Sequence, residues 1–158
     1  MVQACGGAVP RELGRCAAGE LGRPIGAIKA RILAGDWDGA AGDARWALAV
    51  GAAESDSPIG RYAAALACGV LGEWRDMRVH ADYTRTHEAF PGEVADALAF
   101  VAAVDVVGYV EAVEAVLESF ESRDEYLEDM PVADTVLVLQ ALAGRRGMAA
   151  ELSSELLP

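Results

Sequence analysis

The feature that most narrows what this chain can fold into is a recurrence: Gly35-Asp36-Trp37 and Gly72-Glu73-Trp74 open similar segments 37 residues apart. A repeat of that length holds two helices and a turn. Such a unit cannot bury its own apolar face, so the period predicts hairpins that stack on one another. The register reads Gly35, Trp37, Ala40, Ala44, Ala47, then Gly72, Trp74, Met77, Ala81, Thr84. It continues as Val107, Tyr109, Ala112, Val116, Ser119 and as Gly144, Arg146, Ala149, Ser153, Leu156. After each turn the steps are three, four and three residues, one stripe of a helix.

Prolines punctuate the same period. Pro24, Pro58, Pro91 and Pro131 each suit the first turn of a helix, where the missing N–H costs no hydrogen bond. Hairpins are therefore expected over about 24–53, 58–89, 92–127 and 131–157, in one domain spanning 10–158, with a disordered Gly/Ala-rich stretch at 1–9. The 158 residues are 53% hydrophobic but only 6% aromatic, so alanine supplies much of the apolar content, and alanine favours close helix packing over a pleated sheet. The expected class is all-α. Antiparallel hairpins would stack as a short α-solenoid, or as a compact helical bundle that shares the hairpin period.

The net charge of −12 is unevenly placed. Residues 1–90 carry 11 acidic and 10 basic side chains, whereas residues 91–158 carry 14 acidic and 3 basic. An acidic half repels phosphate backbones and anionic headgroups, which argues against nucleic-acid and membrane-surface roles. Cys5, Cys16 and Cys68 are odd in number and lack ligand spacing, which suits reduced thiols and a cytoplasmic setting. No signal peptide is expected, since residues 1–22 lack an apolar core segment. The longest apolar run, Ala97 to Val104, is too short to span a bilayer.

Catalytic chemistry has little to stand on. The chain lacks a nucleophile elbow, a phosphate-binding glycine loop and a His-Glu-x-x-His pair. His80 and His87 would lie about 10 Å apart along one helix, too far to share an ion, and both read as surface residues. No calcium-loop pattern occurs in the acidic segment near residue 120. No enzyme activity, metal or cofactor is expected.

The glycine-x-aromatic turn followed by alanines at these intervals resembles the tetratricopeptide repeat, over roughly residues 22–157. An aromatic that the family carries four residues before the turn glycine is absent, the positions holding Arg31, Cys68, Ala103 and Gln140. The resemblance implies a protein-binding module whose first helices line a concave groove. Carried over, the lining is Ile25, Lys29 and Ile32, then Ile59, Tyr62 and Leu66, then Val101 and Val104, with Val94, Ala97, Asp134, Val138 and Ala141 beside them. This lining is almost wholly apolar, and Lys29 alone does not make a clamp for a terminal carboxylate. Such a groove must be covered by a partner helix, by a second copy in a homodimer, or by the chain's own segment, Arg11 to Leu21 being one choice. A groove that is simply interior is the other reading.

The densest charge lies in Glu111, Glu114, Glu118 and Glu121, with Asp124, Glu125, Glu128 and Asp129 beyond them. The first four fall on one helical face, either a solvated face or a docking surface for a basic partner. Trp37 and Trp74 read as packing anchors at the turns, and Trp46 as the more exposed indole. Residues 132–158, a small apolar helix, a glycine turn and a terminal Leu-Pro, are similar to the end of helical immunity proteins from actinobacterial toxin systems. That resemblance implies an extended Glu151 to Pro158 in place of a fourth full hairpin, and an acidic face that neutralises a basic toxin.

Overall fold

The computed structural model describes residues 21–125 and 132–158. Among these, every regular element is helical, as the repeat period requires. The order is α1 (Gly22–Leu33), α2 (Trp37–Ala49), α3 (Pro58–Leu71), α4 (Trp74–Arg85), α5 (Gly92–Ala103), α6 (Val106–Glu121) and α7 (Asp134–Gly144), with a 3₁₀ turn at Ala52–Glu54 ahead of α3. The stretch 1–9, residues 11–20 of the suggested cover, Glu128, Asp129 and Pro131 lie outside the described residues, while Leu21, the last residue of that cover, is buried in the core.

The turns show why the hairpins form. At the end of α1 the chain enters the left-handed region at Gly35 (φ 72°), and the Asp36 N–H donates back to the Arg31 carbonyl. Gly72 (φ 76°) with Glu73 N–H to Cys68, and Val104 (φ 57°) with Asp105 N–H to Phe100, repeat that geometry. Each is a six-to-one closure that satisfies an orphan carbonyl of the helix end. The next helix then starts at once. Asp36 caps α2 through the Gly39 N–H at 2.9 Å, and Asp105 caps α6 through the Gly108 N–H at 3.0 Å. Pro24 and Pro58 fall in the first turns of α1 and α3, and Pro91 immediately precedes α5.

This geometry corrects the sequence register in two places. The third turn is centred on Val104, so Val106 is equivalent to Trp37 and Trp74, and Tyr109 is equivalent to Ala40 and Met77. All three of the latter are completely buried, whereas both tryptophans are half-buried. A fourth turn of the same type forms at Gly147 (φ 69°), with Met148 N–H donating to Ala143, not at Gly144, which is still helical. No helix follows it. Residues 148–158 contain no helix, so the expected hairpin over 131–157 is a helix and an irregular tail.

A β-branched residue in the left-handed region carries a cost of roughly 1–2 kcal/mol, against about 0.5–1 kcal/mol for the extra unfolded-state freedom of glycine. Val104 is 48% exposed and has little packing to lose. Val104→Gly is therefore expected to raise stability by about 0.5–1 kcal/mol and the melting temperature by about 2 °C, readable in a thermal melt.

Successive helices pack from α1 through α6, and α1, α3 and α5 also touch in turn, which makes the first helices the inner layer. Their second-helix partners bury the small stripe Ala40, Ala44 and Ala47 in α2 and Met77, Ala81 and Thr84 in α4. The Thr84 hydroxyl satisfies itself on the Ala81 carbonyl at 2.7 Å. From Tyr62 to Val70 every residue of α3 is buried, which identifies α3 as the centre of the domain.

Candidate functional site

The apolar trough formed by α1, α3 and α5 is occupied. α7 packs on α1, α5 and α6 and runs the same way as α3, with Asp134 near Tyr62 and its other end at the α3 C-terminus. At the first end, Lys29 forms an ion pair with Asp134 and donates to the Thr135 hydroxyl at 3.1 Å. Toward the other end, Leu142 comes against Gly69, where a Cβ would sit 3.4 Å from its methyl. At the far end two adjacent arginines splay apart. Arg145 donates to the Gly69 and Val70 carbonyls (3.3 and 2.6 Å) and lies 4.6 Å over the Trp37 ring. Arg146 donates to the Val101 and Ala102 carbonyls (3.1 and 2.7 Å) and lies 4.6 Å over Trp74.

Of the eight carried-over lining residues, Ile32, Tyr62, Leu66 and Val101 are buried, Ile25 and Lys29 are half-buried, and Ile59 and Val104 are exposed. Of the two readings the sequence left open for these positions, their burial favours the interior one. The face is an interior one, because α7 carries Val136, Val138, Leu139 and Leu142 and has to bury them too. Tyr62 is shielded from water so fully that its hydroxyl pKa lies above the ordinary range, with the nearby Asp134 carboxylate pushing the same way.

Gln140 organises the tail. Its Oε1 accepts from the Tyr109 hydroxyl (2.7 Å) and from the Ala150 N–H (2.9 Å), while its Nε2 donates to the Ala150 carbonyl (2.6 Å). The tail returns along α7 until the Leu156 carbonyl accepts from the Ala133 N–H at 3.1 Å, and Leu156 is buried there. Ala133, the residue before α7, has no side chain able to cap the helix, and the tail instead satisfies its backbone N–H. Nothing in the hairpin period pointed to Gln140, although a polar side chain inside an apolar helix was a signal.

The outward face of α6 is different in kind. Glu111, Glu114, Glu118 and Glu121 are all exposed, and among the described residues none of them takes part in an ion pair. Val107, 70% exposed, begins the same stripe four residues before Glu111. Glu121 accepts from the Ser154 hydroxyl at 2.7 Å, and a shallow depression lined by Glu121, Ser154, Glu155 and Leu156 joins the tail's Glu155 to the row. Trp46, on α2, is 50% exposed, as its position past Trp37 suggested.

The other titratable groups belong to the fold. Cys68 is buried, and desolvation, followed by the Glu73 and Asp76 carboxylates, pushes its thiol up to about 12, so it stays protonated and unreactive. His80 is only 7% exposed, which corrects the surface reading. Arg61 explains it: this guanidinium donates to His80 Nδ1 at 3.2 Å, donates to the Ser55 carbonyl at 2.7 Å and stacks on Tyr83 at 4.4 Å. Because arginine cannot accept, His80 must present a lone pair at Nδ1 and be neutral. Burial and then Arg61 lower its pKa, with Asp76 and Glu54 opposing. His87, half-buried, meets the Tyr83 carbonyl through Nδ1 at 3.0 Å and shares nothing with His80.

A histidine held neutral binds fewer protons folded than unfolded. Stability is therefore expected to be fully present above about pH 6.5 and to fall as the pH drops from there toward the lower folded value. Urea melts at pH 7.5 and 5.0 check this. His80→Gln should flatten the difference, and an unchanged slope would show that other groups produce it.

Among the described residues no group of three or more His, Cys, Asp or Glu is placed to hold a metal ion, and no helix is long and apolar enough to cross a membrane. No protein-family model matches this chain, and neither does any curated protein or solved structure.

Proposed function

We propose that this protein is a binding module that engages a cationic protein partner through the outer face of α6 and the adjoining tail. The observation that carries this reading is the row Glu111, Glu114, Glu118 and Glu121, exposed and without a cation among the described residues, while the apolar trough is filled. Like charges three and four residues apart destabilise a helix by a few tenths of a kcal/mol per pair, and a basic partner would relieve that repulsion. The row is about 15 Å long, more than a Debye length at physiological salt, so it presents a steering field and a contact surface together.

The tetratricopeptide-like period supports the module class, with the groove taken internally. The likeness of residues 132–158 to helical immunity proteins supports the same partner chemistry, a basic toxin neutralised in the cytoplasm, and the irregular tail at 148–158 agrees with what that likeness implies.

Titration calorimetry against an arginine-rich helical peptide tests the surface. Reversing Glu114, Glu118 and Glu121 to lysine is expected to weaken binding by at least about tenfold and to flatten its salt dependence. Reversing Asp38, Asp76 and Glu88, exposed acids elsewhere, should change it far less. Equal losses from both sets would reduce the effect to net charge and remove the assignment.

A further inference from the structure

The two arginine seats are the same site built twice. Trp37 and Trp74 are each the first residue of a second helix, and the accepting carbonyls stand three and two residues before the turn residue in both cases. Those turn residues are Gly72 for the Gly69 and Val70 pair and Val104 for the Val101 and Ala102 pair. Gly69 and Val101 already accept long bonds of 3.3 Å from the Gly72 and Val104 N–H groups, but all four carbonyls retain acceptor capacity at the negative end of the helix dipole, so a guanidinium is the group they favour. The indole face adds a cation–π contact. Neighbouring hairpins thus set two guanidinium seats side by side at the end of an apolar trough.

We propose that the α1/α3/α5 face is a receptor for an apolar helix ending in two adjacent arginines, that α7 with Arg145 and Arg146 is its internal ligand, and that a partner segment of the same chemistry takes the seat when α7 lifts. The chain itself shows what the seat selects: leucines and valines along the trough, a cation pair at its end, and Lys29 ready for a carboxylate at its start. α7 suits a displaceable role. The six preceding helices already form three complete hairpins, the number at which a stacked array becomes stable, and α7 has no hairpin partner of its own. This reading goes beyond the acidic face of α6 and does not depend on it.

The probe is a fluorescent synthetic peptide of residues 132–158, and the receptor is the full chain, as wild type and as Arg145→Gln/Arg146→Gln. Weakening the internal ligand should raise peptide affinity by at least about tenfold over wild type, and the peptide with both arginines replaced by glutamine should lose that gain. Equal binding to both chains, no binding to either, or binding indifferent to the peptide's arginines overturns the proposal. Native-state hydrogen exchange on the wild-type chain decides the matter should the double variant not fold. Amides of 134–144 exchanging ahead of those in α3 and α4 support a releasable segment, and coincident exchange at all denaturant concentrations refutes it. A wild-type dimer in light scattering that exchanges this segment would put a second copy in the seat and overturn the partner assignment.

Discussion

Leu66→Asp is expected to unfold the domain. Leu66 is completely buried in the middle of α3, within the run from Tyr62 to Val70 in which every residue is buried. Removing the side chain to alanine alone costs about 2–5 kcal/mol through lost burial and the cavity left behind. A carboxylate in that position has no cation to pair with, and its desolvation adds several kcal/mol more unless it takes up a proton. The total rivals the stability of an ordinary domain, roughly 5–15 kcal/mol. Far-UV circular dichroism should show the helical signal lost or its melting transition moved far down, while Leu66→Ala stays folded with a lower midpoint. An open groove would behave differently: the aspartate would be hydrated and the helices would survive.

Tyr109→Ala is the second large effect expected, at about 3–5 kcal/mol, because the ring is completely buried and its removal leaves a cavity. Tyr109→Phe separates the ring from the hydroxyl. It keeps the packing and leaves Gln140 its two hydrogen bonds to Ala150, so its cost should be about 1 kcal/mol. Gln140→Leu should cost more than Tyr109→Phe, since it strands the buried hydroxyl and releases both backbone groups of Ala150 together. Denaturant melts of the three variants order these effects. A Tyr109→Phe cost equal to that of Tyr109→Ala would mean that the hydroxyl, not the ring, holds α6 to α7.

The sequence made the helical class and the first two hairpins legible because their turns use glycine where the backbone needs a left-handed residue, and an aromatic follows at once. The third turn hides. Val104 adopts the same conformation without the glycine that would announce it, so aligning Tyr109 with the tryptophans displaced that unit by three residues. The fourth was displaced the other way by Gly144, a helical glycine three residues before the turn glycine Gly147. The acidic stripe and the exposed Trp46 followed from helical spacing alone, which places surface residues well. Burial between distant segments does not follow from spacing. Whether the trough was open depended on α7, and His80 depended on Arg61, nineteen residues earlier. One sign of the filled trough was present in α7 itself: Val136, Val138, Leu139 and Leu142 give it a broad apolar arc, which is buried, while Leu137, Gln140 and Ala141 opposite stay half-buried.

The joining of Lys29 to Asp134 spans more than a hundred residues, whereas the most extensive helix contacts, from α1 through α6, are between neighbours in the chain. During synthesis the three hairpins have all they need to assemble as they leave the ribosome, one against the last. The closing contact must wait for residues 132–158. A nascent chain paused before that point would leave Tyr62, Leu66 and Val101 uncovered, so translation speed through the C-terminal codons would set how long a chaperone has to find that face.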